Sequence, residues 1–245
     1  LIYDHAQDEG VVPMDYNPWR AIRRADRPKP PKTSATDFLE IPEAAAVIEA
    51  CDAVHTTRMP LRTIVATLLL TGARKDEILG LEVKDVDFPR RVVHIHSNRW
   101  RTVKTRDERF VPLWPQLEEE LKRYLARCPR RQGLLFPSED SDQRRDVMIT
   151  AINKNLRRAR DLAAEKMGGA AGAALTAKQV TPRALRPSYC AARLQTLDHG
   201  QPVALWTVKK ELGHGSMQMI DRVYGRLGVI RQRGEVVEYR KTWVE

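Results

Sequence analysis

A chain of 245 residues is long enough to bury a substantial core in one or two domains, so it needs no disulfide framework or structural metal to hold it together. Its 42 Lys and Arg against 32 Asp and Glu give a formal net charge of +10. Both signs are spread along the chain, which suits a folded protein with a polyanionic partner better than a disordered basic tail; charge alone leaves nucleic acid, an acidic membrane surface and an acidic protein all open.

Residues 1 to 25 carry too few apolar groups for a core of their own and read as the end of a domain that lies upstream. A chain that begins with Leu1 rather than Met, and without a basic segment followed by an apolar one, reads as a piece of a longer cytoplasmic protein. From Asp26 to Thr36 the stretch DRPKPPKTSAT favours an extended, solvated backbone and is read as a linker, with a main domain over 37–245. In that domain Pro42 suits a first helical turn, and Ala44, Val47, Ile48 and Cys51 share a face behind it. Leu61 to Leu70 is apolar nearly all round and ends at Thr71-Gly72, which predicts a central buried helix.

Two short β-branched or apolar runs follow, Val92, Val93 and Ile95, then Phe110, Val111 and Leu113. With the polar segment Ser97 to Glu108 between them they predict a hairpin with a long basic tip. Leu117, Leu121, Tyr124, Leu125 and Cys128 fall on one helical face, and a further helix is expected from about Asp146 to Lys166. The low-complexity run GGAAGAAL from Gly168 is expected to be a flexible loop. Helical patterns around Tyr189–Leu197, Val203–Leu212 and Met217–Leu227 close the domain. The expected fold is α+β, mainly helical, with one small antiparallel β-sheet.

Cys51, Cys128 and Cys190 are far apart, odd in number and set in apolar helical patterns, so they read as buried thiols of a reducing compartment. His94 and His96 alternate on a strand without a Cys, Asp or Glu cluster at ligand spacing and read as solvent-facing. No glycine-rich phosphate cradle and no G-x-S-x-G elbow occurs. What remains is a set of dispersed cations and a tyrosine. Arg74 follows the buried helix with Glu77 one turn later, and Lys104 lies in the hairpin tip. Arg183 and Arg186 stand three apart and would share a helix face, while His214 sits at a helix end and Tyr224 follows Ile220 by four. Each of these taken alone suits an ordinary paired surface cation, a helix-end histidine or a core tyrosine.

In order and local sequence, however, four segments resemble the tyrosine recombinase (phage integrase) family. TGARKDEILGL is similar to the first arginine box, which makes Arg74 the first catalytic arginine and Glu77 its supporting acid. KTRDERFVPL resembles the hairpin of the catalytic lysine, with Lys104 eight residues before Pro112. TPRALRPSYCAARL is similar to the H-x-x-R box, with Arg186 as its arginine and Arg183 where histidine is usual. LGHGSMQMIDRVYGRL resembles the last box, with His214 ten residues before Tyr224 as nucleophile. The similarity runs from about residue 37 to 227, and NPWRAI resembles the end of the family's N-terminal clamp domain, which makes residues 1–25 its remnant.

The resemblance implies a site-specific recombinase that breaks and rejoins double-stranded DNA through a 3′-phosphotyrosyl intermediate, without metal, ATP or any cofactor. It also implies a homotetramer on two DNA sites, with part of the segment Gly228–Glu245 docking on a neighbour. A type IB topoisomerase-like enzyme and a cleavage-deficient DNA-binding protein of the same fold are the alternatives. Bottom-up chemistry agrees with the assignment: guanidiniums offer permanent, bidentate donors to the charge that builds on a phosphodiester's non-bridging oxygens. A lysine can protonate the leaving oxygen. The departure at 183 matters because a guanidinium cannot accept a proton, whereas a free phenol is only about 0.1% ionised at pH 7. Pro187 also lacks the amide hydrogen that the Arg183 carbonyl would take, so a kink is expected if the helix has begun there.

Overall fold

The structure is a computed structural model in which residues 2–13, 38–54, 56, 59–102, 108–129, 131–137, 145–213, 217–227 and 236–240 are described. The chain divides into two compact units, Leu1–Ser34 and Ala35–Glu245. In the first, helix α1 (Ile2–Asp8) is followed by a turn in which Gln7 Nε2 donates to the Pro13 carbonyl at 3.2 Å. The expected linker over 26–36 lies outside the described residues.

The second unit is built around helix α3 (Leu61–Thr71), preceded by α2 (Ile41–Ala50). All-round apolarity has its expected outcome: Ile64, Val65, Ala66, Leu68, Leu69 and Leu70 are all fully buried. Burying each large side chain is worth roughly 1.5–3 kcal/mol. Thr67 and Thr71 of α3 are satisfied internally, donating to the carbonyls one turn back at 2.7 and 2.6 Å. Gly72 then ends α3 in the left-handed region at φ 61, and a Cβ there would meet Tyr189 Cδ1 at 2.5 Å, so only glycine fits.

Short helix α4 (Lys75–Leu79) leads into an antiparallel sheet ordered β1 (Val86–Asp87), β2 (Val92–Ile95) and β3 (Arg109–Pro112). Val93 pairs with Val111 and both face the core, while His94 pairs with Phe110 on the outer face. The histidines are partly buried rather than solvent-facing: their rings stack at 4.4 Å, and Phe110 stacks on His94 at the same distance. His94 Nε2 lies 3.0 Å from Glu108 Oε2, and His96 Nε2 lies 2.9 Å from Asp85 Oδ1. Among the described residues no group of three or more potential metal ligands is present.

Helices α5 (Pro115–Arg127), α6 (Arg145–Met167), α7 (Gly169–Ala177), α8 (Pro182–Leu194), α9 (Leu205–Leu212) and α10 (Gln218–Leu227) complete the unit, with a two-stranded hairpin of β4 (Leu197–Asp198) and β5 (Gln201–Pro202). The run expected to be a loop is therefore helix α7. Alanine has the highest helix propensity and Leu175 anchors the segment in the core; Gly172 allows a close approach, since a Cβ would stand 2.2 Å from the Ala164 carbonyl oxygen of α6. Helix α8 continues through Pro187.

Cys51 and Cys190 are buried, and burial pushes both thiols up to about 12. Cys128 departs from expectation and is exposed, because α5 ends at Arg127 and the stripe ends with it. Residues 236–240 come from the segment for which the resemblance implies docking on a neighbour, yet they enter the chain's own core. Val237 and Tyr239 are buried between exposed neighbours; Tyr239 exchanges hydrogen bonds with the Gln116 side chain at 2.7 and 2.9 Å and donates its hydroxyl to the Leu69 carbonyl at 3.1 Å. No described helix is long and apolar enough to cross a membrane.

Candidate active site

The site begins where α3 stops. With Gly72 turning the chain, Arg74 becomes the N-cap of α4 and Glu77 its third residue, so the Glu77 carboxylate reaches back to accept from the Arg74 amide at 2.7 Å. Arg74 Nη1 also donates to Glu77 Oε1 at 2.9 Å, with the Arg74 side chain 33% exposed and that of Glu77 4% exposed. Arg109, the first residue of β3, closes on the same carboxylate through Nη2 at 2.5 Å and Nη1 at 3.3 Å. Burial by itself would raise the Glu77 carboxyl, but the hydrogen bond and charge of Arg109, then those of Arg74, outweigh it and hold the group at about 2.

Arg186 on α8 is buried and bridges two helix ends. Its Nη1 donates to the Gly72 carbonyl at 2.6 Å, beyond α3, and its Nη2 donates to the Leu212 carbonyl at the end of α9. A cation at two C-termini meets the negative ends of two helix dipoles. Even so, burial, followed by the charges of Arg74 and Arg109, pushes Arg186 down to about 9 against the opposing pull of Glu77. Two guanidiniums thus bond one carboxylate and a third, Arg186, feels their charge, so positive charge is left over at the place where Arg74 reaches solvent.

Arg74, Glu77 and Arg186 are therefore brought together. Arg183 stands three residues before Arg186 within α8, as the shared-face reading requires, but it is exposed on the first turn while Arg186 is buried. The cations pressing most on Arg186 are Arg74 and Arg109. Tyr224 stands on α10, which packs on α8 and α9; Ile220 and Val223 are buried beneath it, and Tyr224 itself is 48% exposed rather than part of the core. Lys104 and His214 lie outside the described residues.

Sequence reasoning missed Arg101, which lies within the polar segment Ser97 to Glu108, and Arg109, one residue beyond it. Arg101 is buried, donating to the His96 carbonyl at 2.6 Å, to Asp85 Oδ2 at 3.3 Å and to the Glu77 carbonyl. Arg109 had a readable signal: on β3 it shares inward parity with Val111, and an inward arginine requires a buried carboxylate. A further pair supports α9 from below, where the Glu211 carboxylate accepts from Arg193 Nε at 3.1 Å and from the Tyr189 hydroxyl at 2.7 Å.

Residues 37–228 match the description of the phage integrase family. The chain belongs to that family. Among curated members it is 28% identical over 195 residues to tyrosine recombinase XerC of Myxococcus xanthus, covering 80% of this chain and 59% of that relative. It is 26% identical over 225 residues to tyrosine recombinase XerD of Mycobacterium leprae, covering 88% of this chain and 63% of the relative. The family member described here thus spans about three fifths of the length of these relatives. Its fold is shared with XerH recombinase bound to a palindromic difH substrate in a post-cleavage complex (TM-score 0.58, 20% identity, 79% of this chain and 50% of that one). It is shared as well with a lambda integrase dimer bound to a core site (TM-score 0.57, 16% identity, 99% of this chain and 73% of that one).

Proposed function

We propose that this chain is the catalytic part of a site-specific recombinase that cuts and rejoins double-stranded DNA. The observation that carries the reading is the surplus of positive charge around Glu77, whose one carboxylate holds Arg74 and Arg109 while both press their charge on Arg186. A phosphodiester supplies the missing anion. Arg74 and Arg186 take its non-bridging oxygens, and Glu77 holds Arg74 in place. Preorganised donors of this kind contribute about 10²- to 10³-fold each to rate.

Tyr224 attacks phosphorus through its phenolic oxygen, forming a P–O bond to tyrosine while the bond to the 5′ oxygen breaks. The leaving oxygen takes a proton from Lys104, and the exposed position of Tyr224 lets water carry off the phenolic proton. His214 adds a hydrogen bond to the phosphate, and Arg183 a further charge at the surface. Because one phosphate ester replaces another, the reverse attack by a 5′ hydroxyl rejoins strands without ATP. Residues 1–25 are the end of a clamp domain, 26–36 a linker and 37–245 the catalytic domain, which works as a homotetramer on two DNA sites. The deciding experiment is trapping on a nicked suicide duplex carrying the chain's own recombination site: a covalent adduct that maps to Tyr224, and joining of two different duplexes, are expected. No adduct under any condition that permits DNA binding would overturn the reading.

A further inference from the structure

Arg109 opens β3 five residues after Lys104, and its side chain is 5% exposed. Besides its two bonds to the Glu77 carboxylate, it donates from Nε to the Glu211 carbonyl at 2.9 Å. Glu211 directly precedes Leu212, whose carbonyl accepts from Arg186, and stands three residues before His214. One planar group therefore fixes three segments: the strand leading away from Lys104, the acid that holds Arg74, and the helix end that leads to His214. A lysine ammonium is a point donor and cannot span the same acceptors. A buried ion pair gains little net stability after its desolvation cost, so what this one supplies is geometry.

We propose that Arg109 is a positioning residue for strand cleavage, setting strand β3, which follows Lys104 in the chain, in register with the end of α9 while it keeps Glu77 on Arg74. The inference rests on the recombinase reading above. Misplacement by about 1 Å typically costs about 10²-fold in rate, which sets the expected size of the effect.

The test measures single-turnover cleavage by the whole chain and its Arg109→Lys and Lys104→Ala variants on a nicked suicide duplex with either oxygen or sulfur at the scissile 5′ bridge. Sulfur leaves as a thiolate and needs no proton, so a defect in proton delivery disappears on it. Arg109→Lys is expected to lose about 10²-fold in rate constant on oxygen, to recover most of that on sulfur, and to bind the duplex as the parent does. Parent-like rate constants on oxygen, with only the melting temperature or the reacting fraction lowered, would show a structural residue and overturn the proposal. Equal losses on both duplexes would overturn it too. If sulfur fails to restore Lys104→Ala, the role given to Lys104 falls, and amide exchange decides Arg109 separately. The Gly213 amide, bonded to the Lys210 carbonyl at 2.9 Å, should exchange faster in Arg109→Lys; parent-like exchange there would overturn the proposal.

Discussion

Arg186 and Gly72 are 114 residues apart in the chain, yet the arginine's Nη1 lies 2.6 Å from the glycine's carbonyl oxygen. The bond joins α8 to the end of α3 and puts a buried cation beside Arg74, whose backbone starts two residues later. Charge already crowded there is a site prepared for an anion, and the first prediction follows from it.

Inorganic sulfate or phosphate should stabilise the fold by binding this cluster. At an anion concentration about ten times the dissociation constant the gain is about 1.4 kcal/mol, or roughly 3–6 °C in melting temperature for a domain of this size. Arg74→Gln should remove most of the increment, because Arg74 is the partly exposed member of the cluster. Thermal melts at matched ionic strength, with chloride as reference, check this; equal shifts in parent and variant would refute it.

Glu77 should make stability fall in acid. Its folded value of about 2 is depressed below the unfolded value of 4.5, so its contribution is fully present above about pH 4.5 and is lost as pH falls towards 2. The difference corresponds to about 3 kcal/mol. Urea unfolding between about pH 6 and pH 2.5 should show a steeper decline in the parent than in Glu77→Gln. At neutral pH the variant should already be less stable by about 3–5 kcal/mol, the usual result of removing one partner from a buried pair.

Tyr224→Phe should abolish the covalent DNA adduct and leave both DNA affinity and stability unchanged. At 48% exposure the hydroxyl is no core anchor, so its loss is expected to shift stability by less than about 0.5 kcal/mol. Gel analysis of denatured reaction mixtures reads the adduct; an adduct in the variant would remove the nucleophile's role from Tyr224.

Arg183 separates chemistry from folding in the same way, being exposed on α8. Arg183→Ala should slow single-turnover cleavage by about 10²-fold, the scale for one lost charge-stabilising donor, without moving the melting temperature. Arg183→His should retain or raise the rate and add a dependence on pH near about 6.5, since an imidazole can accept the phenolic proton. Rates like the parent's for Arg183→Ala between about pH 6 and pH 9 would leave Arg183 outside the reaction.

Local sequence carried the elements and the order of the site. All-round apolarity marked α3, parity marked β2 and β3, and Gly72 marked the turn that makes Arg74 a helix cap, because each depends on residues within one or two turns of one another. The same local reading failed at α7, where alanine propensity and the contact of Gly172 with Ala164 outweighed a composition that suggested a loop. It failed again at Cys128, where the helix ends one residue too soon. The sequence also named Arg74 with Glu77 as its acid, and Arg186, but not the further partners of Glu77 and Arg186. That Arg109 shares the Glu77 carboxylate, that Arg186 caps two helices, and that Arg183 is exposed while Arg186 is buried were decided only by the tertiary structure. The reason is physical: a guanidinium looks the same in a sequence whether solvated or buried, and its acceptors here lie 26, 32 or 114 residues away, brought within reach only when α3, α8, α9 and the sheet pack together.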